Sequence, residues 1–577
     1  MGLAPQGGLN LTRGLRRKLT SYGDQDFSLF LRKAFIKAMG YSDDALDRPI
    51  VGITNTFSDF NPCHGNVPQL VEAAKRGVML AGGLPMVFPT ISIHESFAHP
   101  TSMYLRNLMA METEEMIRAQ PMDSVILIGG CDKTLPAQMM AAASVDVPAI
   151  VLPTGPMATG HHRGETLGAC TDCRRQWGRF RAGEIDEPEI GRINDQLVAS
   201  IGTCTVMGTA STMACLAEAM GLTVPMAGSA PATSAERSRL AEDTGRVAAD
   251  LAANGGATVS EILESGGAAN ALAVLQALGG STNAVVHLAA LAGRLGRKFD
   301  MGALDAVGRK IPVLADLKPS GAHYMAQFHN AGGVPRLLRE IADFLNLDAP
   351  TVTGQPIRSR VASKDVGMGD RTIRSLSEPV ASDGAIAVLS GNLAPRGAVI
   401  KRSAASPEFE RHEGRAIVFD SVMEMTEQLD DPDLDVRADD VLVLRNAGAK
   451  GAPGMPEAGY VPIPRKLAEQ GVKDMVRISD ARMSGTAFGT VVLHITPEAA
   501  DNGPLAIVRT GDRIALDLPS RRLDLKIDDD EFAQRMAGLP ERIEGPARGY
   551  GQLYHRHVLQ ADEGVDFDFL RREGPES

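Results

Sequence analysis

The segment from Ser124 to Thr134 constrains the fold of this chain more than any other. Its apolar run, Val125 to Ile128, has the length and β-branched content of a strand buried on both faces. Two glycines then turn the chain, and the residues after Thr134 follow a helical pattern. A buried parallel strand needs helices on both faces of its sheet, so the segment predicts an α/β fold.

The chain changes character about two thirds of the way along. Apolar runs alternate with Ala- and Met-rich helical stretches in the first part, which indicates βαβ units and a parallel sheet. Short strands separated by Gly, Pro and Asp turns follow. Because 577 residues are too many for one core, we predict an N-terminal αβα domain over residues 1–375 and a mostly β, barrel-like C-terminal domain over 376–577. Residues 351–378 form the candidate linker.

Composition excludes several classes of protein. A formal net charge of −12 argues against a dedicated nucleic-acid binder. No apolar run reaches the roughly 18 residues that a membrane helix needs, and residues 1–20 lack the apolar core of a signal peptide. Six cysteines in so long a chain do not form a disulfide framework. We therefore expect a cytoplasmic protein in which any functional cysteine is a metal ligand or a nucleophile.

Cys131, Asp132 and Lys133 follow the predicted strand directly. A thiol, a carboxylate and an amine thus lie at the carboxyl end of a strand, where open α/β sheets bind their ligands. The adjacent helix N-terminus favours the thiolate form that binds metals. A Gly-rich turn with one buried cysteine and two solvated charges is the alternative.

Two further cysteines, Cys63 and Cys204, occupy similar loop-to-helix positions. The three thiols are too far apart in sequence for a compact zinc knuckle, and they suit a site that the fold assembles from several loops. Three thiolates without a local fourth match an iron–sulfur cluster that keeps an open iron position. Three unrelated buried cysteines are the alternative.

The sequence does not indicate a function for the remaining three cysteines. Cys170 and Cys173 form a C-x-x-C pair, but a structural zinc site needs a second pair, which is absent from the sequence. A redox role for the pair stays open. Cys215 lies on the apolar face of a predicted helix, and we expect it in the core.

Several longer motifs resemble, in the same order, those of the dihydroxy-acid and sugar-acid dehydratases, a family that includes 6-phosphogluconate dehydratase. The resemblance spans nearly the whole chain, from about Leu15 to Asp568. Its cysteine motifs are Asn61–Asn66, Gly129–Thr134 and Gly202–Thr212, and its further motifs are Gly279–Asn283, Gly391–Gly397, Gly451–Glu457 and Ser479–Gly489.

The resemblance implies two inorganic sites. Cys63, Cys131 and Cys204 would hold an iron–sulfur cluster, [2Fe–2S] or alternatively [4Fe–4S]. A Mg²⁺ would be bound by Glu95, Asp132, Glu457 and a carbamylated Lys133. Carbamylation would turn an ammonium, which cannot ligate a cation, into an anionic oxygen ligand of the kind that Mg²⁺ prefers.

The resemblance also implies the chemistry. Ser484 would remove the C2 proton of a 2,3-dihydroxy acid, with Thr486 as a substrate contact, and the resulting enol would tautomerise to a 2-keto acid. A free serine hydroxyl is too weak a base, so Ser484 must act as a stabilised alkoxide. Arg482 and Thr486 stand at the glycine positions of a G-x-S-x-G elbow, which disfavours a hydrolase.

Two departures from the branched-chain enzymes bear on the substrate. Ala447 stands where those enzymes usually carry a glutamate, and Leu317–Gly321 and Arg445–Gly448 look more like the pentonate and hexonate dehydratases. We therefore predict an unphosphorylated sugar acid such as arabinonate, xylonate or gluconate, because no dedicated phosphate loop is evident. Activity on 2,3-dihydroxyisovalerate is the alternative. The resemblance implies a homodimer or homotetramer.

Two non-enzymatic functions are the alternatives to an enzyme. An iron–sulfur electron carrier or redox sensor usually completes its cluster with four protein ligands and needs no metal-binding carboxylates. A sugar-acid-binding module gives no reason for three thiols. The combination of Glu95, Asp132, Lys133, Glu457 and Ser484 favours a catalyst.

Overall fold

The computed structural model describes residues 13–19, 22–145, 147–540 and 545–573. Most of residues 1–20, where the sequence predicts no signal peptide, lies outside these ranges. The N-terminal half is built on a parallel sheet in the order β2-β1-β3-β4, which confirms the predicted fold class. Its strands are β1 (Ile50–Asn55), β2 (Leu84–Pro89), β3 (Ser124–Gly129) and β4 (Ala149–Pro153).

The strand order places a crevice between β1 and β3. The chain leaves β1 for β2 on one side of the sheet and leaves β3 for β4 on the other, so the connections diverge between the two central strands. Open α/β sheets bind ligands at such a switch point, outside the carboxyl ends of the strands. The segments that follow β1 and β3 are those that carry Cys63 and Cys131.

Helices cover this sheet and build the rest of the N-terminal half. Val67–Leu80 packs on Ala235–Asn254 along the sheet, and the fully buried Thr134–Ala143 packs on Arg106–Ala119. A small hairpin, β5 (Gly160–His162) and β6 (Glu165–Leu167), precedes the helix that starts at Thr171. The helices are α1 (Gln25–Lys37), α2 (Asp43–Leu46), α3 (Val67–Leu80), α4 (Arg106–Ala119), α5 (Thr134–Ala143), α6 (Thr171–Arg181), α7 (Glu187–Leu197), α8 (Thr209–Met220), α9 (Ala235–Asn254), α10 (Val259–Ile262), α11 (Ala268–Leu278), α12 (Asn283–Arg294), α13 (Met301–Gly308), α14 (Met325–Asn330) and α15 (Gly333–Glu340).

The C-terminal half forms an eight-stranded, nearly closed sheet in the order β14-β13-β9-β10-β11-β12-β8-β7. Main-chain hydrogen bonds of Ser390 with Arg521 and Leu523 join its two edges, which confirms the predicted barrel-like architecture. Its strands are β7 (Ile386–Leu389), β8 (Gly397–Lys401), β9 (Arg411–Phe419), β10 (Val441–Leu444), β11 (Val476–Ser479), β12 (Val491–Thr496), β13 (Arg513–Asp517) and β14 (Arg522–Leu525).

The barrel contains a parallel core that its sequence pattern does not reveal. Strands β9 to β12 run parallel, and α16 (Val422–Gln428) and α17 (Arg465–Glu469) lie in the first two connections between them. These helices are too short to produce a clear helical period. Two further helices, α18 (Asp529–Ala537) and α19 (Gly549–His557), follow β14. The consequence for the site is that β10 and β11 also present carboxyl ends.

The C-terminal segment returns to pack against the N-terminal half. Arg106, fully buried, donates to the carbonyl oxygens of Gly564 and Val565. Arg294 and Asp566, also buried, form a two-point ion pair with N···O distances of 2.7 and 3.2 Å. None of the described helices combines the length and hydrophobicity needed to span a membrane.

The Arg294–Asp566 pair gives a stability prediction. We expect Asp566→Asn to destabilise the fold by roughly 3 kcal/mol, because it leaves the buried guanidinium with Glu114 as its one remaining ion-pair partner among the described residues. The measurement is the shift of the thermal unfolding midpoint. Glu413→Gln, which breaks a half-exposed ion pair with Arg513, is the control and should leave the midpoint nearly unchanged. Equal shifts for both variants would contradict the prediction.

Candidate active site

A cavity of about 300 Å³ lies where loops of both halves meet. It contains every residue that the sequence analysis selected as a ligand or catalytic group except Lys133, which lies buried against it. The selected lining residues are Cys63, Glu95, Cys131, Asp132, Cys204, Glu457, Ser484 and Thr486. The others are His94, Ser96, Cys170, Cys173, Arg174, Gly208, Thr209 and Ala210.

The thiols enter the cavity in two pairs. The Cys63 and Cys131 sulfur atoms and a ring nitrogen of His94 all lie within 4.8 Å of one another. Cys204, on the loop before α8, has its Sγ 2.9 Å from Sγ of Cys170. The three predicted cluster cysteines are therefore brought to one cavity, and Cys170 joins them as a fourth thiol.

Crowding favours the protonated form of Cys63 and of Cys204 in the absence of a metal. The hydrogen bond with Cys131 and burial raise the pKa of Cys63 well above its ordinary value. The hydrogen bond with Cys170 and burial do the same to the pKa of Cys204, and the nearby Cys63 adds to the effect. A positive group bound among them would release these protons.

His64 fixes the turn that carries Cys131, and the sequence analysis assigned it no role. Its Nε2 accepts the backbone N–H groups of Gly130 and Cys131 at 2.9 and 3.1 Å, so the ring proton lies on Nδ1, which donates to the Thr56 carbonyl at 2.8 Å. Burial lowers the pKa of His64 to about 4, which keeps the ring neutral. Gly130 must lack a side chain, because a Cβ would lie 1.8 Å from Thr154 Oγ1.

Three carboxylates from both halves of the chain surround the buried Lys133. Its Nζ lies 3.1 Å from Glu95, 3.3 Å from Asp132 and 3.7 Å from Glu457. Burial and Arg482 lower the pKa of Lys133, but the carboxylates outweigh them and raise it to about 12. Burial alone would raise the pKa of Glu95, yet Lys133 and Arg482 hold it well below its ordinary value. Lys133 and Glu95 are thus both ionised at neutral pH.

Arg482 connects the carboxylates to each other. Its guanidinium hydrogen bonds to Glu457 and approaches Glu95 at 3.5 Å, and it donates to Thr101 Oγ1 at 2.8 Å. Thr101 in turn donates to Glu95 at 2.6 Å, and Asn283 Nδ2 donates to Glu457 at 3.2 Å. Both glutamates therefore have fixed orientations toward Lys133.

Ser484 faces the cavity from the loop after β11. Its Oγ lies 2.8 Å from Oγ1 of Thr486. The intervening Gly485 packs so closely that a Cβ would lie 2.5 Å from Ser281 Oγ. The loop is held from the other side by Thr171, whose hydroxyl donates to the Thr486 carbonyl at 3.2 Å.

Two other lining side chains were missed. His94 precedes Glu95 in a motif from which only the glutamate was selected. Arg174 lies over the Tyr460 ring, 5.1 Å from its centroid, and its guanidinium has no ion-pair partner among the described residues. Of the two residues, only His94 lies in a sequence motif that could have drawn attention to it. A single arginine in a helix carries no comparable signal.

Clustered thiols and a carboxylate-bound lysine meet in one cavity at the carboxyl ends of parallel strands, where α/β folds place their active sites. Comparison with known families gives its class. Residues 48–360 match the family described as dihydroxy-acid/6-phosphogluconate dehydratase N-terminal, and residues 371–565 match its C-terminal counterpart. The chain belongs to the dihydroxy-acid/6-phosphogluconate dehydratase family, and it is a hydro-lyase.

Individual relatives cover nearly the whole chain. A 6-deoxy-6-sulfo-D-gluconate dehydratase of Pseudomonas putida is 46% identical, with 92% of both chains covered. An L-arabonate dehydratase of Azospirillum brasilense is 45% identical over 97% of this chain and 98% of its own. A dihydroxy-acid dehydratase of Acetivibrio thermocellus is 37% identical over 92% of this chain and 96% of its own.

The role of His64 yields a prediction that needs no cofactor. We expect His64→Leu to expose Cys131 to alkylation by iodoacetamide at least tenfold faster, because two buried N–H groups lose their acceptor at about 1–3 kcal/mol each. Mass spectrometry of the modified peptide gives the rate. His161→Leu, on the exposed edge of the β5–β6 hairpin, is the matched control. An unchanged rate in His64→Leu would show that the turn holds without the ring.

Proposed function

We propose that this protein dehydrates an aldonate sugar acid to its 2-keto-3-deoxy acid, using an iron–sulfur cluster and Mg²⁺. The observation that carries the proposal is the meeting of three thiols, three carboxylates and Ser484 in one cavity, although these groups come from loops of both halves. An electron carrier would have no use for the carboxylate cluster. A binding module would have none for the thiols.

The charge of the carboxylate cluster supports a Mg²⁺ site. Glu95, Asp132 and Glu457 are balanced in part by the Lys133 ammonium and Arg482. Carbamylation would change Lys133 from a cation to an anion, a loss of two positive charges, which one Mg²⁺ would restore. The buried site thus keeps the same net charge in both forms, and all four ligands would offer the oxygen atoms that Mg²⁺ prefers.

The thiols support a cluster held by Cys63, Cys131 and Cys204, which we propose to be [2Fe–2S], with [4Fe–4S] as the alternative. When bound, the two inorganic groups would polarise the substrate carboxylate and 2-hydroxyl and assist departure of the 3-hydroxyl. The protein fixes the orientation of the proposed ligands. His64 fixes the Cys131 turn, and Arg482 and Asn283 orient the glutamates. Pre-oriented groups cost little reorganisation during reaction.

We assign proton abstraction to Ser484. The Ser484 alkoxide takes the proton from C2, and the C2–C3 double bond forms as the C3–O bond breaks. Ser484 then returns that proton to the departing hydroxide, which leaves as water, and the enol tautomerises to the ketone. Thr486, 2.8 Å away, donates a hydrogen bond that stabilises the Ser484 alkoxide. Arg482, which pairs with Glu95 and Glu457, adds positive charge near the site.

The lining favours a hydroxylated substrate over a branched-chain one. Ala210 is the only aliphatic side chain among the described residues that line the cavity. The two C3 methyl groups of 2,3-dihydroxyisovalerate would meet no larger aliphatic side chain there, whereas sugar hydroxyls would meet polar groups such as Ser96, Thr209 and Arg174. The relatives named for sulfogluconate and arabonate agree with this choice, and dihydroxyisovalerate remains the second candidate because of the dihydroxy-acid dehydratase relative.

We also propose that the enzyme acts in the cytoplasm as a homodimer or homotetramer. Exposed aromatic side chains on α1 support self-association, since Phe27, Phe30 and Phe35 are 46%, 65% and 72% exposed.

The base assignment is tested by Ser484→Ala. We expect kcat on the best aldonate to fall by roughly 10²–10⁴-fold, because a positioned proton acceptor contributes about that much. Iron and magnesium content should stay at wild-type values. Ser377→Ala, at an exposed position, is the control. Wild-type turnover by Ser484→Ala would overturn the assignment.

The substrate class is tested with a panel assayed for 2-keto acid formation. We expect arabinonate, xylonate or gluconate to give a kcat/KM at least tenfold above that of 2,3-dihydroxyisovalerate, because the hydroxyl, carboxylate and guanidinium groups of the lining can hydrogen bond to sugar hydroxyls. 6-Deoxy-6-sulfogluconate completes the panel. A preference for dihydroxyisovalerate would establish the second candidate instead.

A further inference from the structure

Cys170 lies beside a proposed cluster ligand, and the dehydration chemistry leaves it without a task. Its Sγ is 2.9 Å from Sγ of Cys204, so the two thiols are within hydrogen-bond distance of each other. Cys204 belongs to the motifs of the cluster, whereas Cys170 belongs to the C-x-x-C pair that the sequence left unassigned.

The chain holds Cys170 in place at some cost. Its backbone has φ of 78° and ψ of −65°, a strained conformation that non-glycine residues adopt only where their surroundings enforce it. The backbone N–H of Cys170 donates to Sγ of Cys173 at 3.2 Å. Next in the chain, Thr171 is tied to the Thr486 carbonyl and Asp172 accepts from the Gly168 N–H and the Tyr324 hydroxyl. These contacts fix the backbone that carries the Cys170 thiol.

This geometry also indicates which thiol Cys170 can pair with. Although Cys173 is its neighbour in the C-x-x-C pair, the Cys173 thiol is engaged with the Cys170 backbone, while the Cys170 thiol faces Cys204. Exposure distinguishes this pair from the other one. Cys170 and Cys204 are partly exposed, whereas Cys63 and Cys131 are buried, so a small oxidant reaches the former pair first.

We propose that Cys170 and Cys204 form a reversible redox-modification site, at which a peroxide converts the pair to a disulfide in chains that carry no cluster. Insofar as Cys204 is a cluster ligand, this inference rests on the proposed function. The disulfide withdraws Cys204 from the ligand set and protects its sulfur from irreversible oxidation. Reduction by a dithiol restores the chain to a form that can bind iron.

The chemistry balances with hydrogen peroxide as the oxidant. The Cys170 thiol takes one oxygen atom from the peroxide to give a sulfenic acid, and one water leaves. The Cys204 sulfur then attacks the Cys170 sulfur, the S–O bond breaks, and a second water leaves with the Cys204 proton. Two thiols have lost two electrons and two protons, and the peroxide has been reduced to two waters. A dithiol reverses the step by thiol–disulfide exchange.

The test uses the full-length chain, freed of iron by a chelator and reductant, and then exposed to equimolar hydrogen peroxide. After alkylation of the remaining thiols, trypsin digestion without reductant releases Gly164–Arg174 and Ile193–Arg237, which contain Cys170 and Cys204. We expect mass spectrometry to find these two peptides linked. We also expect the oxidised chain to take up at least tenfold less iron on reconstitution until dithiothreitol is added.

Two serine variants identify the bonded cysteine of the first peptide, which contains both Cys170 and Cys173. Fragment ions of the linked pair distinguish Cys204 from the buried Cys215 in the second peptide. Cys170→Ser should abolish the linkage, and the matched variant Cys173→Ser, which keeps a hydrogen-bond acceptor three residues away, should retain it. A linkage that persists in Cys170→Ser, a bond between Cys63 and Cys131 alone, or unimpaired iron uptake by the oxidised chain would each overturn the proposal. An iron-loaded wild-type chain that dehydrates none of the acids would refute the proposed function and leave the mapped disulfide intact.

Discussion

A buried lysine is the constraint on which the arrangement of the site depends. Lys133 has no exposed surface, and an isolated ammonium in such a position would lose several kcal/mol of hydration free energy. Its compensation comes from three carboxylates on three separate loops: Glu95 follows β2, Asp132 follows β3, and Glu457 follows β10 in the other half of the chain. The two halves must therefore dock in one orientation for the charge to be satisfied. Arg482, between Glu95 and Glu457, strengthens the same junction.

Both sheets contribute the carboxyl ends of parallel strands to the site. Carboxyl ends of parallel strands leave room for loops that carry functional side chains. In the N-terminal sheet this edge carries Cys63, Cys131 and Asp132, and in the barrel the ends of β10 and β11 carry Glu457 and Ser484. A purely antiparallel barrel would have hairpins there instead. The parallel core of the C-terminal sheet is thus what lets the second half complete the site.

The sequence predicted what is local or carried by a motif. The strand before Cys131 is a continuous apolar run, so its burial in a parallel sheet follows from pattern alone. The selected ligands and Ser484 came from motif resemblance, and all of them lie in or against one cavity. Three features were beyond such reasoning because they depend on contacts between distant segments: the His64 ring beneath the Cys131 turn, the pairing of Cys204 with Cys170, and the parallel order of β9 to β12.

The third thiol differs from the first two in how the fold supports it. Cys63 and Cys131 follow central strands of the sheet. They are linked through His64, the residue after Cys63, whose ring accepts a hydrogen bond from the backbone N–H of Cys131. Cys204 is held beyond the sheet, where Thr203 forms a bridge with Pro156 and its carbonyl accepts the Met157 N–H at 2.8 Å. A cysteine on such a loop has fewer constraints than one at the end of a buried strand. The fold therefore makes Cys204, rather than Cys63 or Cys131, the least firmly held of the three proposed ligands, which agrees with its proposed pairing with Cys170.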